Sequence, residues 1–157
     1  MIIATAQTSP KRENIAYNIS EHLRLTKLAS KNGADLILFP EMSLTSYERK
    51  KAHQLTFSEN DSRLNELIKI SNTKKITIIT GAPISIKNKL HIGCFVISPD
   101  NGIRIYTKQH LHGEENDYFA SSCDYNPIIK IKDERISIAI CADINKEQHI
   151  INAKQKG

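Results

Sequence analysis

The sequence has no tryptophan, and aromatic residues fill only 6% of its 157 positions. With no aromatics interleaved along a basic stripe, the stacking platform on which single-stranded nucleic acids lie is missing. Its cysteines, Cys94, Cys123 and Cys141, are odd in number and widely spaced. The absence of a CxxC pair argues against structural zinc and dithiol exchange, and the odd count argues against a disulfide scaffold. No apolar stretch approaches the roughly 20 residues that cross a bilayer. The opening Met1-Ile2-Ile3-Ala4-Thr5-Ala6-Gln7 lacks the basic region and long apolar core of a secretory signal. A reducing, cytoplasmic setting with free thiols is therefore expected. No low-complexity linker interrupts the chain, so residues 1–157 are expected to form a single domain.

What is present is an ordinary globular composition, 39% hydrophobic and 25% charged. Lysine and arginine (22) exceed aspartate and glutamate (17), for a net charge of +5. The basic residues are dispersed, as at Lys11-Arg12, Arg49-Lys50-Lys51 and Lys74-Lys75, and no run reaches five like charges. This pattern describes a solvated basic surface rather than a nucleic-acid footprint.

Periodicity orders the elements. Ile2 to Ala6 is a short β-branched run, read as a buried strand. From Glu13 to Asn32 the residues Ile15, Ile19, Leu23 and Leu28 recur near helical spacing, and Asn32-Gly33 supplies a stop. Asp35 to Phe39 is a continuous apolar run ended by Pro40, so the opening unit is strand, helix, strand with parallel neighbours. Leu64, Leu67 and Ile68 mark a second helix entered through Ser58 to Asp61, and Ile76 to Thr80 a third strand. Leu90 to Ile97 and Ile103 to Lys108 read as a hairpin about Pro99-Asp100-Asn101-Gly102. A loop from Gln109 to Asn126 leads to strands at Ile128 to Ile131 and Arg135 to Cys141. In the second of these, Ile136, Ile138 and Ile140 share one face. Lys146 to Lys156 is read as a final helix.

Three residues stand where chemistry is easily done. Cys141 closes its strand just before the backbone must turn, so a nucleophilic sulfur would be both held still and exposed. A free cysteine is more often a small buried hydrophobe, and that is the plainer reading of Cys94 and Cys123. Glu41 follows a buried strand and a terminating proline, where partial desolvation raises the proton affinity of a carboxylate. Lys108 ends a strand and, taken alone, reads as a surface lysine.

Phe39-Pro40-Glu41-Met42, Tyr106-Thr107-Lys108-Gln109-His110-Leu111 and Ile138-Ala139-Ile140-Cys141-Ala142-Asp143 together resemble the three signatures of the nitrilase-like carbon–nitrogen hydrolase superfamily, in the family's order. Ala4-Thr5-Ala6-Gln7 and Gly33-Ala34-Asp35 also fit that family's opening. The resemblance implies an α/β fold of the αββα sandwich type and a Glu-Lys-Cys catalytic group. Glu41 would then serve as general base toward the Cys141 thiol and later toward the hydrolytic water. Lys108 and the Ala142 N–H would stabilise the oxyanion, and Lys108 would also favour the thiolate. A second glutamate after the lysine motif would position substrate, Glu115 being preferred to Glu114, and Tyr47 and Asn145 would line the pocket. The family needs no metal or other cofactor; His110 and His112 are read as loop histidines without a third ligand.

Members of that family run considerably longer, so the resemblance implies the amino-terminal portion of a domain, truncated on its C-terminal side. Such a truncation would expose apolar surface, favouring a homo-oligomer. Two functions of different class follow. The first is an amidase acting on a small-molecule amide, with neither nucleic acid nor membrane as partner. The alternative is a catalytically inactive binding module that keeps the same fold. Nucleic-acid binding through the basic surface ranks behind both.

Overall fold

The computed structural model describes residues 1–99, 102–122 and 128–156. The tip of the expected Pro99–Gly102 turn, Cys123 and Gly157 lie outside the described residues. The chain forms an α/β fold around a five-stranded mixed sheet of order β1-β2-β3-β4-β5. Strands β1 (Ile3–Thr5), β2 (Leu36–Leu38) and β3 (Thr77–Ile86) run parallel. Strands β4 (Lys89–Ser98) and β5 (Gly102–Thr107) continue the sheet as an antiparallel meander.

Helices α1 (Ile15–Lys31) and α2 (Asn65–Lys74) cover one face. Their side chains meet Ile37, Phe39, Ile78, Phe95 and Ile97 of the sheet in one apolar core. On the opposite face Leu36, Ile79, Cys94, Val96 and Tyr106 pack against Ile129, Ile131, Ile138 and Ile140. These isoleucines belong to, or directly follow, a second sheet made of β6 (Ile128–Ile131) and β7 (Glu134–Ser137). The layers therefore run helices, sheet, sheet. Helix α3 (Glu147–Gln155) follows a 3₁₀ turn at Cys141–Asn145. Among the described residues no helix is long and apolar enough to cross a membrane.

Several expectations need correction. Helix α1 starts where the Asn14 side chain accepts the Tyr17 N–H, but its fully buried residues are Asn18, His22, Thr26 and Ala29. Leu28, expected on the core face, is exposed. Strand β3 runs six residues past its expected end at Thr80, straight through Pro83. The missing N–H costs no ladder bond, because the Pro83 carbonyl faces away from β4 to accept the Phe57 N–H, and the ring nitrogen shares that side. Lys87 and Asn88, both at positive φ (48° and 61°), then form the tight turn into β4. Strand β7 ends at Ser137, four residues before Cys141. Ile138 and Ile140 stay buried while Ala139 and Cys141 stay exposed, so the alternation outlasts the pairing.

Candidate active site

The turn after β2 carries Glu41. Phe39 extends the strand by donating its N–H to Ile79 at 2.9 Å, and Pro40 then ends it. Met42 takes a left-handed φ of 57°, and the Leu44 N–H returns to the Gly81 carbonyl at 3.0 Å. Strand β3 passes directly beneath this turn. A Cβ at Gly81 would sit 2.5 Å from Met42 N and 2.8 Å from Pro40 O, so only glycine permits the approach.

Behind the same turn lies a chain of buried polar bonds whose direction is determined. His22 Nδ1 lies 2.6 Å from the Asn18 carbonyl and must donate to it. Nε2 of the neutral ring then accepts the Ser43 hydroxyl at 3.0 Å. The Ser43 oxygen in turn accepts from the Thr80 hydroxyl and the Gly81 N–H. Burial pushes the His22 pKa down to about 4, which keeps the ring neutral. His22 also stacks on Phe39, ring centroids 3.9 Å apart. Helix α1 thus braces the Glu41 turn through polar groups.

Lys108, read from sequence alone as a surface residue, is 0% exposed. Its backbone extends β5 through a 2.8 Å bond to the Ile92 carbonyl. Its ammonium donates to Glu41 Oε1 at 2.9 Å and to Glu115 Oε1 at 2.8 Å. Burial disfavours the charged lysine, but the two carboxylates outweigh it and hold its pKa above the ordinary value. Burial likewise opposes ionisation of Glu115. Bonds from Lys108, the Tyr47 hydroxyl and the His112 N–H prevail, and its pKa falls below the usual carboxylate range. Burial, then the bond to Glu115, pushes the Tyr47 hydroxyl upward, so it remains a donor. Glu114 points elsewhere and pairs with Arg49 at 3.0 Å on the surface.

Cys141 is exposed and has a φ of 47°, in the left-handed region that costs a residue with a Cβ roughly 1–2 kcal/mol. Asp143, fully buried, holds this turn. Its carboxylate accepts the Tyr106 hydroxyl at 2.6 Å and the N–H groups of Gln109, His110 and Ile140 at 3.1, 2.8 and 3.0 Å. One side chain therefore joins the segment after Lys108 to the segment before Cys141. The 3₁₀ turn opens at Cys141, so its first N–H groups, Ala142 included, have no partner within the turn. Glu41 and Cys141 line one pocket of about 230 Å³, walled mainly by Leu38, Phe39, Ile79, Ile138 and Ile140. Cys94 also lines it, and burial pushes that thiol up to about 12.

The structure thus joins Glu41, Lys108, Glu115 and Tyr47 in one bonded cluster and sets Cys141 across a shared pocket from Glu41. Asn145, at the end of the 3₁₀ turn, is exposed and outside both. The sequence reading found no third ligand for the histidines. The structure gathers His110, Asp143 and His149, with potential ligand atoms within 4.8 Å of one another, and leaves His112 out. Asp143 already accepts four bonds, and both ring nitrogens of His149 face protein partners. The group is therefore a poor host for a metal. Asp143, His22 and Ser43 are supports that the sequence signals only faintly, by a carboxylate two residues after Cys141 and a serine two after Glu41.

The family model described as carbon-nitrogen hydrolase matches residues 2–157. Among solved structures, the chain superposes on a variant of the amidase from Nesterenkonia sp. AN1 with a TM-score of 0.84 at 20% identity, covering 99% of this chain and 61% of that one. That variant carries the acetamide moiety of fluoroacetamide covalently added at its active-site cysteine. A CN-hydrolase superfamily protein from Xanthomonas campestris, with an arsenic adduct in its active site, matches with a TM-score of 0.81 at 17% identity, covering 91% and 54%. A glutamine-dependent NAD+ synthetase from Acinetobacter baumannii matches with a TM-score of 0.81 at 22% identity, covering 98% and 30%. The chain spans less than two thirds of the length of each of these proteins.

Proposed function

The chain belongs to the carbon–nitrogen hydrolase family, and from that premise we propose that it is a thiol amidohydrolase acting on a small amide through a thioester on Cys141. The observation that carries this reading is the buried Lys108 ammonium, clamped between Glu41 and Glu115 beside a pocket that Glu41 shares with an exposed cysteine. A fixed cation of this kind stabilises negative charge that develops only in the transition state.

Glu41 takes the thiol proton as Cys141 Sγ bonds to the amide carbon, and the carbonyl electron pair moves to oxygen, facing Lys108 and the Ala142 N–H. The pair returns, the C–N bond breaks, and the proton on Glu41 leaves with the amine. Water then attacks the thioester, giving its proton to Glu41. The C–S bond breaks, and the proton returns to sulfur as the carboxylic acid departs. Glu115 and Tyr47 fix the far side of Lys108 throughout. The apolar pocket walls favour a small acyl group of low polarity.

The test is ammonia release from a panel of small aliphatic amides by the wild-type chain and by Cys141→Ala and Glu41→Gln. The account expects turnover in the first and none above background in either variant. Full turnover by folded Cys141→Ala would overturn the mechanism, and no turnover by the wild-type chain would favour the non-catalytic binding module.

A further inference from the structure

We propose that His149 is a positioning residue that sets the separation of Lys108 and Cys141, an inference resting on the reading of Cys141 as nucleophile. His149 lies on α3, beyond both strands it serves, and is only 3% exposed. Its Nε2 donates to the Ile138 carbonyl at 3.1 Å, three residues before Cys141. Its Nδ1 lies 3.1 Å from the end of the Gln109 side chain, one residue after Lys108; because Nε2 carries the ring proton, Nδ1 accepts, and the Gln109 amide bonds to it with its NH2 group turned toward the ring. The ring also packs edge-on against Tyr106, two residues before Lys108, with centroids 6.2 Å apart.

Among the described residues, two side-chain bridges therefore join the lysine segment to the cysteine segment. Asp143 makes one, binding the backbone of Gln109 and His110 on one side and of Ile140 on the other. His149 makes the second with side-chain atoms. Among the described residues the last β6–β7 pair is Ile128 with Ser137, and Ile138 follows the end of β7. A single bridge at Asp143 leaves the two segments free to pivot about one carboxylate; a second anchor, on Ile138 and Gln109, removes that freedom. An apolar residue at 149 fills the same space and supplies neither bond.

The experiment needs no amide. Alkylation of Cys141 by iodoacetamide is followed across pH by peptide mass spectrometry, with the thermal midpoint recorded for each variant. His149→Leu and Gln109→Leu are each expected to slow alkylation at neutral pH by about tenfold and to shift its pH midpoint upward, because the thiolate loses the fixed cation. The double variant is expected to be no slower than His149→Leu alone, since both remove the same bridge. His149→Gln, whose amide can still donate to Ile138, is expected to recover most of the rate. An unshifted pH midpoint in folded His149→Leu overturns the proposal, even with a lowered thermal midpoint, because a purely structural role moves only the latter. If His149→Leu does not fold, Gln109→Leu decides in the same way, since it leaves α3 and its bond to Ile138 in place. Failure of the wild-type chain to turn over amides counts against the amidase reading, whereas the alkylation profile judges His149 separately.

Discussion

Lys108 reaches the site from the end of β5 in a five-stranded sheet, whereas Cys141 reaches it from four residues past the end of β7 in a two-stranded one. The charged half, Glu41 with Lys108 and Glu115, is ion-paired and largely buried. The thiol half is exposed and sits on a backbone turn of unfavourable φ. The difference shows two ways of fixing a reactive group. Where ladder bonds reach, the sheet itself supplies rigidity; where they stop, side-chain anchors such as Asp143 must supply it.

The largest way to break this contrast is to unpair the charged half. Lys108→Met leaves two carboxylates facing each other, and denaturant unfolding is expected to show a loss of about 3–5 kcal/mol. Turnover in any remaining folded protein should fall by about a hundredfold or more. A variant as stable as wild type would contradict the buried ion-pair cluster.

The next is a matter of pH. His22 is held neutral with a pKa of about 4, below its ordinary 6.5. Between those values the unfolded chain binds a proton that the folded chain refuses. Stability is therefore complete above pH 6.5 and falls as the pH drops toward 4, with a ceiling of about 3 kcal/mol. His22→Gln should flatten this part of the unfolding free energy between pH 7 and pH 4.5. An unchanged slope would mean that the brace behind Glu41 is not what titrates.

A smaller effect separates geometry from charge. Gly81→Ala places a methyl group against the backbone of the Glu41 turn, so a loss of about 1–3 kcal/mol is expected. Its turnover should fall further than its stability explains, because Glu41 is displaced from Lys108. Wild-type turnover in this variant would show that the turn tolerates displacement. The smallest effect has the opposite sign. Cys141→Gly relieves the left-handed strain at the nucleophile and is expected to gain about 0.5 kcal/mol, the relief exceeding the added chain entropy. A loss of stability there would mean that the thiol contributes packing rather than strain.

The parts of the fold legible in sequence were those with local signals. Ile37 and Ile78 announce covered strands, Asp61 caps the 3₁₀ turn that leads into α2, and the alternation from Ile136 to Ile140 survives beyond its strand. The length of β3 beyond Thr80 was not legible, because whether Pro83 breaks a strand depends on which edge its missing N–H faces, a tertiary fact. Lys108 misled for the same reason, since Glu41, its partner, lies 67 residues away. At the candidate site Glu41 could be named from its place beside a strand end, whereas Lys108 and Glu115 became candidates only through the family resemblance. Their supports could not be named: His22, Asp143 and His149 act by bridging segments that only the folded chain brings together.

The central claim is that the two halves work as one site, with Cys141 accepting the acyl group. Intact-mass and peptide mass spectrometry of the chain quenched during incubation with small aliphatic amides tests it most directly. The account predicts an added acyl mass on Cys141, absent in Cys141→Ala and strongly reduced in Lys108→Met. An acyl adduct on another residue, or one on Cys141 that forms equally well without the Lys108 ammonium, would contradict it.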